Sequence, residues 1–578
     1  MIKQTLKVVS KTNFLEILES GWFAFTNWRR AKETDLDYVS FTLGGTLPTL
    51  DENRHWLLSR IQGDPPLSLS QIDRIFRQIA DDPRPKGVIL HFRNLAMPLA
   101  DLQTLRNSIL HLRERGKKVI CYSSSYTTGE YYLAGAADQI ILQPGGVLLT
   151  IGLQQQTAFL KDALDSVGVK FEVVAISPYK GAGDSVSRNE ISPEGQEQME
   201  WLLDSRYDML VQGIAEGRNI DEQAVRDFVD GAPYVDSVAM EQGFVDAIGN
   251  EEDLLDILKI EHIVPQKKAD SMLLLQKYKN TDKVVSLLKI TGMIVDGNSA
   301  SPPVDVPVPL VGGERTGDAT FVQQVRQLMK DEKTGAVVLY IDSPGGSATA
   351  SEAMTSALNA LAKKFPIVVY MNGVAASGGY YAATAAQWIV AQPGTITGSI
   401  GVLSVKPVTS GIFEKLRVNR FGFQRGTNAT LFDPSTPYSE VQRQLMRQII
   451  TNSYDQFVGR VAEARNMTAE QVDAVGGGRV WTGLQAKENG LVDQLGGLRD
   501  ALIKARELGN LPEGTPLVPF TSNEKTPLAP SALKESALNF ILRVFHPFAG
   551  LMYMYDGVQT MSVKPQLLSS YHIDGTIR

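Results

Sequence analysis

Cysteine is almost missing from this 578-residue sequence, and long apolar runs are missing altogether. The single cysteine, Cys121, excludes an internal disulfide framework and a multi-cysteine metal site, and we predict no metal and no cofactor. Nowhere do 18 or more apolar residues follow one another, so no clear transmembrane helix is predicted. The net charge of −7 argues against a nucleic-acid-binding surface as the main function, and no nucleic-acid partner is predicted.

Histidine, the usual base for a catalytic serine, is scarce as well. None of the six histidines falls in a glycine-rich or turn motif. They are His55, His91, His111, His262, His546 and His572. A serine nucleophile in this chain therefore needs another base, and a neutral lysine is the alternative.

Two shorter segments combine apolar and basic residues in a way that suits a membrane surface. Phe14–Trp28 carries three phenylalanines and two tryptophans and is followed by two arginines, and Ala537–Tyr555 is rich in Phe, Leu and Met. Both could be interfacial helices, or ordinary amphipathic elements docked on a core or a partner subunit. The first eleven residues contain no continuous apolar region of the kind that signal peptides have. We predict peripheral membrane association on an unspecified side, with a cytoplasmic protein as the alternative.

The chain repeats itself at a shift of 249 residues. At this shift Lys86–Phe92 lies on Gly335–Ile341, and Tyr131–Ala137 lies on Tyr380–Ala386. The register holds without a gap over residues 86–152. In each copy strand-like runs alternate with helical stretches, which predicts an α/β fold with mainly parallel sheets.

The repeat predicts four parts of the chain. These are an N-terminal extension (1–36), an N-terminal repeat (37–265), a C-terminal repeat (266–508) and a C-terminal tail (509–578). The extension is predicted to associate with membranes, while the N-terminal repeat supplies a lysine and the C-terminal repeat a serine to one site.

The serine is Ser377. The apolar run Phe365–Tyr370 predicts a buried strand, and Tyr380–Ile389 has helical composition, so Ser377 lies where a strand turns into a helix. Such a turn exposes the hydroxyl, and Gly378 leaves room beside it for a substrate carbonyl. Tight strand–helix packing explains the same small residues equally well.

Comparison of the two copies bears on whether Ser377 belongs to a catalytic site or only to a tightly packed turn. Ser377 lies over Thr128, and the glycine-rich turn Asp342–Gly346 lies over Arg93–Met97, which has no glycine pair. Conversely, Lys180 in the first copy falls near residues 427–429, where no lysine occurs. Each copy has thus kept one part of a site and lost the other.

Lys180 has the surroundings that a lysine base requires. The apolar run Val173–Ile176 precedes it and small residues follow it. Because lysine titrates near 10.4, burial must lower its pKa by several units before it can accept a proton near neutrality. The alternative is an ordinary solvated lysine.

Two further turns complete the candidate site. The turn Asp342–Gly346 follows a strand, and its glycines can present N–H groups to a developing oxyanion. Ser399, in the small-residue turn Thr395–Gly401, could hold the lysine amine by a hydrogen bond. Both turns can also be plain strand-ending turns.

In these motifs the chain resembles the signal peptide peptidase A family, in its long tandem form called protease IV. The likeness rests on Asp342–Gly346, Ala376–Tyr380, Thr397–Gly401 and Tyr179–Lys180, and extends over about residues 37–508. It implies two tandem repeats of the Clp-protease and crotonase fold, with helical extensions, in a homotetrameric, bowl-like assembly. It also implies a serine peptidase without metal or nucleotide that degrades remnant signal peptides and other apolar peptides at the membrane.

The resemblance also implies the role of each site residue. The nucleophile would be Ser377 and the general base Lys180, with Ser399 orienting the lysine. The N–H groups of Gly346 and Gly378 would form the oxyanion hole. The chain departs from many long members in lacking a predicted N-terminal anchor. Two other functions stay open: a crotonase-like acyl-CoA enzyme and a non-catalytic oligomeric scaffold.

Overall fold

A computed structural model describes residues 21–32, 35–51, 65–276, 281–300 and 314–520 of the chain. The contacts divide it into two compact units. Within the described residues, the first unit contains the chain up to residue 156 together with 197–400 and 458–520. The second unit contains 157–196 and 401–457. Each unit therefore takes chain from both repeats.

The described part of the chain alternates strands with helices. The strands are β1 (Tyr38–Gly45), β2 (Gly87–Leu95), β3 (Lys118–Thr127), β4 (Gln139–Leu149), β5 (Lys170–Ala175), β6 (Tyr234–Val235), β7 (Ala247–Ile248), β8 (Ile263–Pro265), β9 (Val284–Val295), β10 (Arg315–Gly317), β11 (Thr334–Gly346), β12 (Ile367–Ala376), β13 (Trp388–Ala391), β14 (Ile396–Gly398), β15 (Leu403–Val408), β16 (Val480–Thr482), β17 (Gln494–Leu495) and β18 (Leu517–Pro519). The α-helices are Leu69–Asp81, Leu99–Glu114, Thr128–Ala134, Lys161–Val167, Asp184–Ser187, Pro193–Arg218, Glu222–Asp230, Asp236–Glu241, Leu254–Leu258, Gln266–Ala269, Asp318–Leu328, Ala348–Ala362, Gly378–Ala383, Ser410–Lys415, Glu440–Arg465, Ala469–Val475, Gly483–Glu488 and Leu498–Leu508. Residues 21–30 are also helical, and Gly181–Gly183 and Glu251–Asp253 form 3₁₀ turns.

The first unit contains one sheet from each repeat. In the N-terminal repeat the strand order is β6-β4-β3-β2-β1-β8, with β7 against β4. All of these pairs are parallel except β4 with β6. The central strand β2 has Val88, Ile89 and Leu90 wholly buried, because helices cover a parallel sheet on both faces.

The sheet of the C-terminal repeat follows the same plan. Its order is β10-β9-β11-β12-β13-β17, and β14 lies beside β12. The run β9-β11-β12-β13 repeats the run β1-β2-β3-β4 of the other sheet. The predicted α/β fold with two copies of a mainly parallel sheet is thus confirmed, and it is consistent with the Clp-protease and crotonase fold that the resemblance implies.

One predicted helix is shorter than its composition indicates. The segment Tyr380–Ile389 was expected to be helical, but the helix spans Gly378–Ala383 and β13 begins at Trp388. Pairing of β13 with β12 overrides local helix propensity there, because the paired residues Ile389 and Val390 are buried in the sheet.

The second unit is built around a two-stranded antiparallel sheet of β5 and β15. Here a strand of the N-terminal repeat pairs with a strand of the C-terminal repeat. Val174 of β5 packs into a small apolar core with Tyr438, Met446 and Ile450. These contacts fix the position of β5 and of the chain that follows it.

The predicted membrane segments are described only in part. Residues 21–30 form a helix held by Asn27, whose side chain bonds the backbone N–H and C=O of Leu275. The side chains of Trp22, Phe25 and Trp28 are 65%, 62% and 57% exposed. No helix among the described residues has the length and apolar character needed to cross a membrane. Ala537–Tyr555 lies outside the described residues.

Candidate active site

Ser377 occupies a strained turn between β12 and the helix Gly378–Ala383. Its backbone has φ 53° and ψ −117°, a region that residues with a side chain rarely adopt. Two hydrogen bonds hold it there: the Ser377 N–H donates to Gly398 O (2.9 Å), and Ser377 O accepts from Tyr381 N (2.8 Å). The turn thus fixes the serine where the strand ends.

The glycine-rich turn Asp342–Gly346 packs directly on this serine turn. A Cβ atom at Gly345 would lie 2.6 Å from Gly378 N and 2.8 Å from Ser377 Cβ, so only glycine fits. Gly345 also has φ +97°, which favours glycine. Gly346, at the end of β11, and Gly378, the first residue of its helix, are therefore brought to the same place as Ser377.

A buried serine that the sequence did not single out shapes this glycine turn. Ser343 is fully buried, and its hydroxyl donates to Gly292 O (2.6 Å). The same oxygen accepts from Gly345 N (3.1 Å). The hydroxyl joins the turn to the neighbouring strand β9 and keeps the chain close to Ser377.

Asp342 and Asn372 tie the two site strands together, a role that the sequence did not predict for either residue. The Asp342 carboxylate accepts from Val374 N (3.1 Å) and from Asn372 Nδ2 (3.1 Å). Asn372 Nδ2 also donates to Thr49 Oγ1 (3.0 Å), and the Thr49 hydroxyl donates to Asp101 Oδ1 (3.0 Å). A chain of hydrogen bonds thus runs from the N-terminal repeat to the strands that carry the site.

Ser399 follows the strand next to that of Ser377. Strands β14 and β12 are parallel, with Gly398 opposite Ala376, so Ser399 and Ser377 each come one residue after a paired position. Neighbouring strands lie about 4.8 Å apart. Ser399 has φ 50°, and its N–H donates to Arg479 O (2.6 Å). The sheet register therefore brings the two serines side by side.

Lys180 belongs to the second unit. It follows β5 and precedes the 3₁₀ turn Gly181–Gly183, and its N–H donates to Ser177 O (3.2 Å). The side chain is buried, with 7% exposed, and this burial lowers the pKa of Lys180 to about 8. A substantial neutral fraction of the amine is therefore present just above neutral pH.

The corresponding place in the N-terminal repeat is closed by its own side chains. Thr128, the counterpart of Ser377, lies inside its helix, and its hydroxyl accepts from Gly152 N (3.2 Å). The buried carboxylate of Glu130 accepts from Leu95 N (2.9 Å) and Thr127 N (2.9 Å). This repeat keeps the fold but offers neither a strained hydroxyl nor an open glycine turn.

Family models match the chain in the tandem pattern that its sequence predicts. The model for peptidase family S49 matches twice, at residues 111–264 and 359–512. The first match includes Lys180, and the second includes Ser377 and Ser399. A Clp protease model matches residues 313–390, which contain the glycine turn and Ser377.

Similar proteins carry protease names. The chain is 32% identical to the "Serine protease SPPA, chloroplastic" of Arabidopsis thaliana over 77% of this chain and 66% of that protein. It is 32% identical to "Protease 4" of Salmonella typhi over 77% of this chain and 72% of that protein. A "Putative signal peptide peptidase SppA" of Enterococcus faecium is 31% identical over 41% of this chain and 66% of that protein. The chain therefore belongs to peptidase family S49 and is a serine protease.

Proposed function

We propose that this serine protease is an endopeptidase with a Ser-Lys dyad, in which Ser377 is the nucleophile and Lys180 the general base. The strained backbone of Ser377, wedged against Gly345 and Gly378, is the observation that carries the proposal. Strain of this kind persists only where the surroundings enforce it, and it is concentrated at catalytic positions. The closed counterpart at Thr128 supports the choice of this copy as the one that supplies the nucleophile.

In the proposed reaction the neutral Lys180 amine takes the proton of Ser377 Oγ as that oxygen attacks the scissile carbonyl carbon. A C–O bond forms, and the carbonyl π electrons move to the oxygen. The N–H groups of Gly346 and Gly378 donate to this oxyanion. The protonated lysine then gives its proton to the leaving amine as the C–N bond breaks. Water, deprotonated by the same lysine, releases the acyl group from the serine.

Ser399 is a positioning residue in this proposal. Its place beside Ser377 allows its hydroxyl to accept a hydrogen bond from the lysine amine and to direct the amine toward Ser377 Oγ. The lowered pKa of Lys180 supports the role of base, since an amine with an ordinary pKa is almost wholly protonated at neutral pH.

The proposed substrates are apolar peptides, in particular remnant signal peptides, cleaved at a membrane surface. The name of the Enterococcus faecium relative supports this substrate class. The exposed Trp22, Phe25 and Trp28 support peripheral attachment, since aromatic residues favour the membrane interface. A homotetramer is proposed as the working assembly.

The test is a Ser377→Ala variant, with Thr128→Ala as its matched control. Ser377→Ala removes one oxygen from a small-residue turn, so the fold stays intact while hydrolysis of apolar peptides and fluorophosphonate labelling are lost. Thr128→Ala changes the equivalent hydroxyl of the closed copy and should keep at least half of the activity.

Comparable activity in purified Ser377→Ala would refute the nucleophile assignment. Intact, proteolytically active wild-type protein without fluorophosphonate labelling at Ser377 would likewise show that another residue is the nucleophile.

A further inference from the structure

The sheet of β5 and β15 joins two strands that come from different repeats and are not equivalents of each other. Strand β5 comes from the N-terminal repeat and β15 from the C-terminal repeat, and they pair antiparallel with Val174 opposite Ser404 and Glu172 opposite Lys406. Because each repeat should contain an equivalent of both strands, one pairing uses only half of them. Two equivalents remain to be accounted for.

The repeat shift locates both equivalents. A shift of 249 residues maps β15 to residues 154–159 and β5 to residues 419–424. The structure keeps this register between the strands: the helix Lys161–Val167 maps to Ser410–Lys415. Both helices are followed by a left-handed residue, Gly168 (φ +86°) and Arg417 (φ 55°), again 249 apart. The 249-residue shift between the two repeats therefore holds up to Arg417, just before residues 419–424.

Neither equivalent has a strand partner in the described part of the chain. Residues 151–160 and 418–425 carry no assigned strand, and residues 154–158 and 419–424 are exposed throughout. Phe421 and Phe423 are 88% and 95% exposed, whereas Val174, the counterpart of Phe423, is 3% exposed. Phe421 and Phe423 are separated by one residue, and two such exposed phenylalanines close together indicate a face that a partner covers.

Two positions of the N-terminal repeat show the same difference in burial. Ile151 is 67% exposed, whereas its counterpart Ile400 is fully buried. Ile191 is 36% exposed, whereas Tyr438, its counterpart at the later shift of 247, is 8% exposed. Tyr438 packs with Val174 of β5, so Ile191 has the position to receive an incoming strand in the same way.

Two segments of the chain that would meet in such a contact carry opposite charges. Residues 415–425 include four cations and no anion, while residues 190–200 include four glutamates and no cation. Within the chain, the segment equivalent to 190–200 binds β5 through its charges, because Glu172 accepts from Arg443 Nη2 (3.1 Å) and Tyr438 N (2.7 Å). Residues 190–200 thus carry the charge opposite to that of residues 415–425.

We propose that residues 419–424 of one molecule pair antiparallel with residues 154–159 of a second copy of this chain. The register of β5 with β15 carries over, so that Phe423 faces Gln155 and Phe421 faces Thr157. Such a contact joins two different surfaces head to tail, and it closes into a ring when the rotation between copies allows. The pairing gives the proposed assembly its interface and rests on that part of the proposed function.

One test is loss of assembly in the double variant Phe421→Glu, Phe423→Glu. The two substitutions remove the apolar contact and add negative charges that the glutamates of residues 190–200 repel. Light scattering should therefore show the mass falling to that of one chain. Phe432→Glu is the matched control, since this phenylalanine is 58% exposed but lies outside residues 419–424. It should keep the mass of the wild-type protein.

Cross-linking tests the register with folded protein. The only cysteine, Cys121, is fully buried, so single cysteines can be placed on separate molecules. Facing residues of an antiparallel pair have Cα atoms about 4.5–5.5 Å apart, within the range of a disulfide. A mixture of Gln155→Cys and Phe423→Cys chains should oxidise to a disulfide-linked pair, whereas Gln155→Cys mixed with Phe432→Cys should not.

A wild-type monomer, or a double variant with unchanged mass and no Gln155–Phe423 cross-link, would overturn the pairing. So would unchanged mass together with lost binding to anionic vesicles, which would identify the phenylalanines as a lipid contact. Fluorophosphonate labelling of Ser377 in the same samples separates this failure from a failure of the proposed chemistry, because labelling reports an activated serine and not the assembly of copies.

Discussion

The buried amine of Lys180 determines how the proposed reaction depends on pH. Since burial lowers the pKa of Lys180 to about 8, the amine is mostly protonated below that pH and cannot act as a base. We expect kcat/KM for an apolar peptide to rise about tenfold per pH unit below pH 8 and to level off above it. Steady-state hydrolysis measured from pH 6 to 10 checks this profile.

Lys180→Arg provides the matching variant. Arginine keeps the positive charge but does not lose its proton in this range, so the variant should lose at least a thousandfold in kcat/KM. Lys406→Arg is the control, because Lys406 is also buried and donates to Leu431 O (3.0 Å), but has no proposed chemical role. An active Lys180→Arg enzyme would show that another group is the base.

At the residue scale, the differences between the two copies were the most informative feature of the sequence. It singled out Ser377, and the structure shows that this serine has a strained backbone where Thr128 is helical. The sequence could not single out Asn372, whose partner Thr49 lies 323 residues away. Side-chain hydrogen bonds between distant elements depend on sheet register and helix docking, which local patterns do not specify.

At the scale of elements, Asp101 places an acidic group where the helix Leu99–Glu114 meets β12. Its side chain is buried, and burial raises the pKa of Asp101 to about 6, with the Asp342 carboxylate adding to the effect. A folded-state pKa above the unfolded value means that the ionised carboxylate destabilises the fold above pH 6. The penalty diminishes as the pH falls and is gone below about pH 4.

Asp101→Asn should therefore stabilise the protein at pH 8 and not at pH 4. The amide keeps an oxygen to accept from Thr49 Oγ1 and removes the buried charge, which is worth about 1–3 kcal/mol at 1.36 kcal/mol per pKa unit. Urea midpoints at both pH values measure the change. An equal gain at both would contradict the titration argument.

Asp138 is the control for Asp101, because its pKa is shifted in the opposite direction. Its carboxylate is bonded by Lys118 and Arg113, and its pKa is lowered in the folded protein. A lowered pKa stabilises the fold above the unfolded pKa, and this contribution is lost as the pH falls. Asp138→Asn should therefore lower the urea midpoint at pH 8, the reverse of Asp101→Asn.

Alternation of strand-like and helical runs was enough to predict the two parallel sheets, because buried parallel strands are continuous apolar segments. The pairing of β5 with β15 could not be predicted in this way. Both strands are short and half-buried, and they come from different repeats. Only the three-dimensional arrangement of the second unit brings them together.

At the scale of the molecule, the helix at residues 21–30 supports a prediction about membranes. Its polar side holds Leu275 through Asn27, while Trp22, Phe25 and Trp28 remain exposed. We expect wild-type protein to float with vesicles containing anionic lipid. The triple variant Trp22→Ser, Phe25→Ser, Trp28→Ser should stay at the bottom of the gradient.

The double variant Phe421→Glu, Phe423→Glu is the control for this flotation and should still float, since its change lies in the proposed subunit contact. Wild-type protein that remains wholly at the bottom would rule out peripheral attachment. Protein that resists extraction by carbonate would show insertion into the bilayer.

The tandem arrangement could be predicted from the sequence, and the family model matches the chain twice, at residues 111–264 and 359–512. The repeat boundaries at 37–265 and 266–508 remain predictions. The two compact units combine pieces of both repeats, because sequence similarity follows the ancestry of a segment while a compact unit follows its contacts. A boundary drawn from similarity alone therefore does not identify the parts that pack together.

The hydrogen bonds of Glu130 and Thr128 have a consequence for the protein while it is being made. The N-terminal repeat leaves the ribosome first, and at the place that corresponds to Ser377 its own Glu130 and Thr128 side chains accept from backbone N–H groups. Ser377 follows Lys180 by 197 residues, roughly 10–40 s at ordinary rates of translation. During that interval the growing chain lacks Ser377, so under the proposed mechanism it has no nucleophile with which to form an acyl-enzyme.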